Sequence, residues 1–292
     1  MSNKIGNGYG HSKIILIGEH SVVYGYPAIA LPLKNINILC HIKKGDKSLR
    51  FDLSDPVSTA LYTSLESLNQ KDACLEYSIC SEIPQRRGMG SSAAVAIAVI
   101  RAVYDYFGKT ISDFELEKLV NQSEIAAHGN PSGLDAKTCL SDVPIKYIRN
   151  IGFKSLEFSL DAYLIIADSG IYGKTSQAVD LVAQNELINR PYLKELGQLT
   201  EKVESAIKTH SLEELGHLFD KAHKNLEKIG VSIPEINILV EESRKSGALG
   251  AKMSGGGLGG CIIALAKTYE EAKTIASHLE EKGALKTWIE KV

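Results

Sequence analysis

The chain lacks a paired-cysteine signature. Its five cysteines, Cys40, Cys74, Cys80, Cys139 and Cys261, are scattered and odd in number. No C-x-x-C stands among them, which excludes the common zinc sites and dithiol redox motifs and points to a reducing compartment. Charge of either sign is not in excess: 33 Lys and Arg against 35 Asp and Glu give a formal net charge of -2. A surface that grips nucleic acid is thereby excluded, and any anion must be held locally. Long apolar runs are missing too. The longest, Ala93 to Ile100, is eight residues, where a membrane helix needs about 20. The opening MSNKIGNGYGHSK carries no apolar segment of the signal-peptide kind. The eight histidines show no H-E-x-x-H or similar ligand spacing, so no structural metal is expected. These absences predict a soluble, cytoplasmic protein that engages neither nucleic acid nor membrane.

What is present is apolar material in quantity, 44% of 292 residues, enough for two cores. Short β-branched runs at 14–17, 22–23 and 36–42 read as strands, Asp55 to Leu68 as a helix, and Leu75 to Ile83 as a strand stopped by Pro84. GMGSSAAVAIAVIRAVYDYF, from Gly88, opens on glycine and continues apolar almost all round, the pattern of a helix buried on every side. A further helix is predicted from Ser112, where S-D-F-E supplies a capping box, through Phe114, Leu116, Leu119, Val120 and Ile125 to about Ala127; Gly129 to Gly133 then form a turn. The strand YLIIAD after Asp161 opens a helical region. Helices are expected at about 174–190, 192–209, 212–229 (capping box Ser211 to Glu214) and 234–246. A glycine loop, a strand at Cys261 to Leu265, a helix at 269–282 and a strand through Trp288 follow. The composition shift predicts two domains, 1–160 and 161–292.

Four groups of residues carry chemical potential. Gly88-Met89-Gly90-Ser91-Ser92-Ala93 runs into the buried helix: glycine lets backbone approach a ligand, and a helix N-terminus favours phosphate. The P-loop pattern is absent. The spacing G-x-G-x-x-A fits a dinucleotide fingerprint, but the acidic strand end expected about 20 residues on is replaced by the Ser112 helix. The second group, Lys252-Met253-Ser254 with five glycines in the next six residues, is costly in conformational entropy unless a backbone must come close to something. In the third, period two places Lys13 on one face with Ile15 and Ile17, an awkward place for an ammonium unless it serves a polar site, with Gly18-Glu19-His20 just beyond. The fourth is Glu124 and, eleven residues later, Asp135, two carboxylates that a helix end and its loop bring toward one point.

Together, K13-I-I-L-I-G-E-H-S-V-V-Y-G-Y-P-A, G88-M-G-S-S-A-A and K252-M-S-G-G-G-L-G-G resemble the GHMP small-molecule kinases, in the family's order and across most of the chain. The resemblance implies an α+β two-domain fold: an N-terminal α/β domain with a mixed sheet and a buried phosphate-loop helix, and a C-terminal ferredoxin-like α+β domain. It implies ATP and Mg²⁺ as cofactors, with mevalonate as the alcohol phosphorylated, phosphomevalonate or homoserine as alternatives, and a homodimer. By motif, Pro84, Arg86, Arg87, Gly88, Met89, Gly90, Ser91, Ser92, Ala93 and Ala94 hold the nucleotide, and Ser92 and Glu124 the metal. Asp135 takes the proton of the substrate hydroxyl, beside Lys13. Glu19, His20, Ser254, Gly255 and Gly256 line the substrate side with Asp135, the 254–257 loop closing over it. Family members often carry glycine where Arg86 stands. Either the backbone there does not need φ > 0, or the loop runs differently and the arginines add positive charge near the nucleotide.

Overall fold

The computed structural model describes residues 4–128 and 131–292. Two units divide the chain: Met1–Lys13, Pro32–Gln85 and Gly90–Asp142 form one, and Ile14–Leu31, Arg86–Met89 and Val143–Val292 the other. The long strands β1 (Ile5–Ile17) and β2 (Ala28–Ser48) contribute residues to both.

In the first unit the outer part of β2 pairs antiparallel with β3 (Cys74–Ser81), from Ile38 opposite Ser81 to Lys44 opposite Leu75. The helices are α1 (Pro56–Ser67), α2 (Ser91–Tyr106), α3 (Asp113–His128) and α4 (Leu134–Leu140). Asp55 caps α1 by accepting the Ser58 N–H, and proline takes the first helical position. Helix α2 is buried from Ala93 to Tyr104 except at half-buried Val95 and Arg101. Its alanines have a steric cause. Gly6, Gly8 and Gly10, alternating along β1, lie on the backbone of Ala102, Ala98 and Ala94, one helical turn apart, and a Cβ on any of the three would strike a helix carbonyl. The pairing of G-x-G-x-G with A-x-x-x-A-x-x-x-A extends β1 well before residue 14, where sequence patterning starts it. In α3 the Ser112 hydroxyl accepts the Glu115 N–H at 3.2 Å, and Leu116, Leu119 and Val120 are buried, but Phe114 and Ile125 are 79% and 53% exposed. They fall off the buried stripe. Of the predicted turn after it, Gly129 and Asn130 lie outside the described residues.

The second unit carries an antiparallel sheet in the order β7 (Gly250–Ser254), β8 (Cys261–Ala266), β6 (Tyr163–Asp168), β9 (Lys286–Lys291). Strand β6 is central, with Asp168 opposite both Cys261 and Lys286. Ala28–Ala30 of β2 pair with β4 (Ile145–Ile148), which pairs with β5 (Gly152–Ser155). Helices α5 (Thr175–Gln184), α6 (Glu186–Lys208), α7 (Leu212–Lys228), α8 (Pro234–Lys245) and α9 (Tyr269–Glu281) complete it.

Four local expectations change. Residues 21–24 form a 3₁₀ turn, not a strand, because His20 and Gly25 on either side take positive φ. The break near 190 falls at Asn185, whose side chain closes α5 on the Leu181 carbonyl while its own carbonyl accepts the Asn189 N–H of α6. Pro191 sits inside α6, where it removes a single hydrogen bond. The Ser211 hydroxyl does not cap α7; the complete capping box belongs to Thr268 and Glu271 at α9. Among the described residues no helix is long and apolar enough to cross a membrane.

Candidate active site

The first unit gathers four of the singled-out residues. Lys13, on β1, places Nζ 2.7 Å from Oδ1 of Asp135, which stands in the first turn of α4 behind the left-handed Gly133. The lysine side chain is 1% exposed and the aspartate 36%. One turn beyond Asp135, the Cys139 thiol donates to the Gly90 carbonyl at 3.8 Å. Gly90 is the N-cap of α2 with φ 70° and has no side chain to offer the first turn. A Cβ there would lie 2.7 Å from Cγ of Lys13 and 3.0 Å from Sγ of Cys139, so glycine is required both by conformation and by space. Glu124 of α3 is buried at the same place: the Cys139 thiol is pushed well above its ordinary pKa first by burial and then by the charges of Asp135 and Glu124, with Lys13 opposing. The arrangement is a solvent-reachable carboxylate steadied by a buried ammonium beside a glycine-capped helix N-terminus. It suits proton acceptance next to a bound anion.

In the second unit, Arg86–Met89 is the chain that leads into Gly90. Arg86 has φ 56°, which rules out the first explanation: the backbone is left-handed here, with an arginine in the position. Its carbonyl accepts the Gly173 N–H at 2.8 Å. Arg87 is buried, and its charge is matched within the protein. Nε lies 2.7 Å from Oδ1 of Asp168, an ion pair by distance though not aligned as a hydrogen bond. Nη2 donates to the Gly170 carbonyl at 2.8 Å, and the guanidinium sits 4.4 Å from the centre of the Tyr172 ring. Nη1 is buried with no hydrogen-bond acceptor among the described residues. Pro84 is half-buried and Met89 buried.

The same unit joins the GEH segment to the late glycine loop. Lys252 and Glu19 form an ion pair with neither side chain exposed. Burial pushes the Lys252 ammonium below its ordinary pKa, against the pull of Glu19. Ser254 donates to the Ile15 carbonyl at 2.8 Å and accepts the Ile15 N–H at 3.2 Å. His20, at φ 60°, donates from Nε2 to the Gly256 carbonyl at 3.1 Å, and burial brings its pKa down to about 4. Such a backbone costs about 1–3 kcal/mol and persists only where its surroundings fix it. A Cβ on Gly255 would lie 2.7 Å from Cα of Gly88, so the glycines let two loops meet backbone to backbone. Sequence reasoning missed Asp168, whose signal was a carboxylate closing the apolar strand YLIIAD, and Cys139, which gives no signal outside the fold.

The family model for the GHMP kinases N terminal domain matches residues 57–142, and that for GHMP kinases C terminal matches 203–285. A mevalonate kinase of Pyrococcus furiosus is 34% identical, covering 87% of each chain. Among solved structures, the mevalonate kinase of methicillin-resistant Staphylococcus aureus MRSA252 is 33% identical with a TM-score of 0.79, covering 99% of both chains. That of L. major, in complex with R-mevalonate, is 27% identical with a TM-score of 0.87, covering 99% of this chain and 96% of that one. Motifs, fold and relatives agree: the chain belongs to the GHMP kinase family.

Proposed function

We propose that this enzyme phosphorylates the 5-hydroxyl of (R)-mevalonate with ATP, releasing 5-phosphomevalonate and ADP. The observation that carries the reading is the Lys13–Asp135 pair set against the glycine cap of α2, in a chain whose relatives of similar length are mevalonate kinases. Phosphoryl transfer asks the protein mainly for position and charge neutralisation. The loop from Arg86 and the first turn of α2, through Ala94, are assigned to the triphosphate. Asp135 accepts the proton of the attacking hydroxyl as the new O–P bond forms, since an alcohol is far too weak an acid to ionise beforehand. Lys13 holds the carboxylate in place and offsets negative charge on the transferred group. Glu19, His20, Ser254, Gly255 and Gly256 are assigned to the substrate side, His20 and the glycines as wall and Glu19 as the support behind it.

Magnesium fits as a companion of the nucleotide. Among the described residues no three His, Cys, Asp or Glu side chains are grouped to hold a metal by themselves, whereas one buried carboxylate and a hydroxyl suit an ion that draws its other ligands from phosphates and water. Glu124 and Ser92 are the residues that would hold it, and the ion would supply charge neutralisation on the phosphates. Dimerisation and a cytoplasmic location belong to the same reading, the first checked by light scattering.

Incubation with ATP, Mg²⁺ and a panel of mevalonate, phosphomevalonate and homoserine, following ADP release, tests it. Turnover with mevalonate is expected. Turnover with another alcohol alone reassigns the substrate, and none with any refutes the kinase reading.

A further inference from the structure

We propose that Asp168 is a positioning residue for nucleotide binding, acting through Arg87 to fix the backbone of Arg86–Met89. The proposal rests on the assignment of this loop to the triphosphate. Asp168 is the last residue of β6, 1% exposed and flanked by strands on both sides, so its backbone is held by the sheet. Its Oδ1 accepts the Gly170 N–H at 2.9 Å and meets Arg87 Nε at 2.7 Å, while Arg87 Nη2 returns to the Gly170 carbonyl at 2.8 Å. Three residues thus close a ring, with Tyr172 covering the guanidinium.

A second tie follows next door, from the Gly173 N–H to the Arg86 carbonyl. Beside it, Gly260 leaves room for the Arg87 carbonyl, 3.0 Å from where a Cβ would stand. The loop has reason to be held. Arg86 sits in a left-handed conformation that its side chain disfavours, and backbone amides serve an anion only while they point the right way. Arg87 therefore spends Nε and Nη2 on the protein itself, and its fork geometry is what the site uses; a lysine cannot reproduce it.

The test is steady-state kinetics with ADP-binding calorimetry on Asp168→Asn, Arg87→Lys and Tyr172→Leu. Asp168→Asn and Arg87→Lys are expected to raise KM for ATP about tenfold or more and weaken ADP by a similar factor, with KM for mevalonate within about twofold. Tyr172→Leu, at an exposed ring, is expected to shift ATP by roughly two- to threefold. Folded Asp168→Asn with unchanged ATP affinity overturns the proposal, as does an equal rise in both KM values alongside a lowered melting temperature, the mark of a purely structural pair. If Asp168→Asn does not fold, the other two variants decide, and unchanged ATP affinity in both overturns it. Ser92→Ala separates the two levels: if it weakens ATP while the Asp168 and Arg87 variants do not, only this proposal falls; if none of them weakens ATP, the assignment of the loop falls.

Discussion

Lys13 and Glu19 stand at opposite ends of one short apolar stretch, and each forms an ion pair with a residue far away in sequence, yet the two pairs end in different circumstances. Asp135 keeps about a third of its side chain open while its lysine is buried. Glu19 and Lys252 are both sealed. A charge taken wholly out of water is costly unless its partner compensates it, and removing one member leaves that cost uncovered. A half-open carboxylate retains an oxygen that an incoming hydroxyl can reach. On the function proposed above, a lysine–carboxylate pair serves reactivity in one unit and architecture in the other, and access, not charge, draws the line.

The contrast breaks most visibly at Asp135. Asp135→Ala is expected to lower kcat by roughly 10² to 10⁴ with modest change in either KM; turnover within a few-fold of the parent would remove the difference between the pairs. Lys252→Met is expected to show itself in folding: denaturant titration should report a loss of about 3–5 kcal/mol, largely recovered in Glu19→Leu/Lys252→Met. A single variant as stable as the parent would mean the sealed pair contributes nothing. Acid sharpens the picture of the wall beside that pair. Burial holds His20 at about 4 and His223 at about 3, against an ordinary 6.5, so the unfolded chain binds more protons in the interval between. Their stabilisation is complete above pH 6.5 and drains as pH falls toward those values, on the order of 3 kcal/mol for His20. His20→Gln should flatten the fall in melting temperature across that interval; an unaltered slope would exclude His20 as its source. Glu124→Gln should displace the magnesium titration by about tenfold, and an unmoved titration would take Glu124 out of the metal's company.

Much of this site was legible because motifs are local. Gly88 to Ala93 announced a helix mouth, and the chemistry of Lys13, an ammonium among isoleucines, announced a polar partner. Asp135 supplied it. What stayed hidden was long-range or stereochemical. That Arg86 is left-handed cannot be read from an arginine. That Arg87 is neutralised by Asp168 depends on bringing residue 87 to the end of β6. Strand β7 escaped notice because GAKMS has no β-branched residue, its pairing with β8 deciding the matter. The start of β1 escaped because Gly6, Gly8 and Gly10 read as a loop until the alanines they face are known.

That seam between β1 and α2 has a practical side. Along it, three glycines bring the strand backbone directly onto the helix backbone. Ala102 lies eight residues from Ala94, about 12 Å along the axis, so a methyl group introduced at Gly6 would collide with the last turns of the helix, at the end away from Gly90. Libraries meant to probe the proposed nucleotide loop should leave those three glycines alone, because any side chain added there must displace a helix carbonyl.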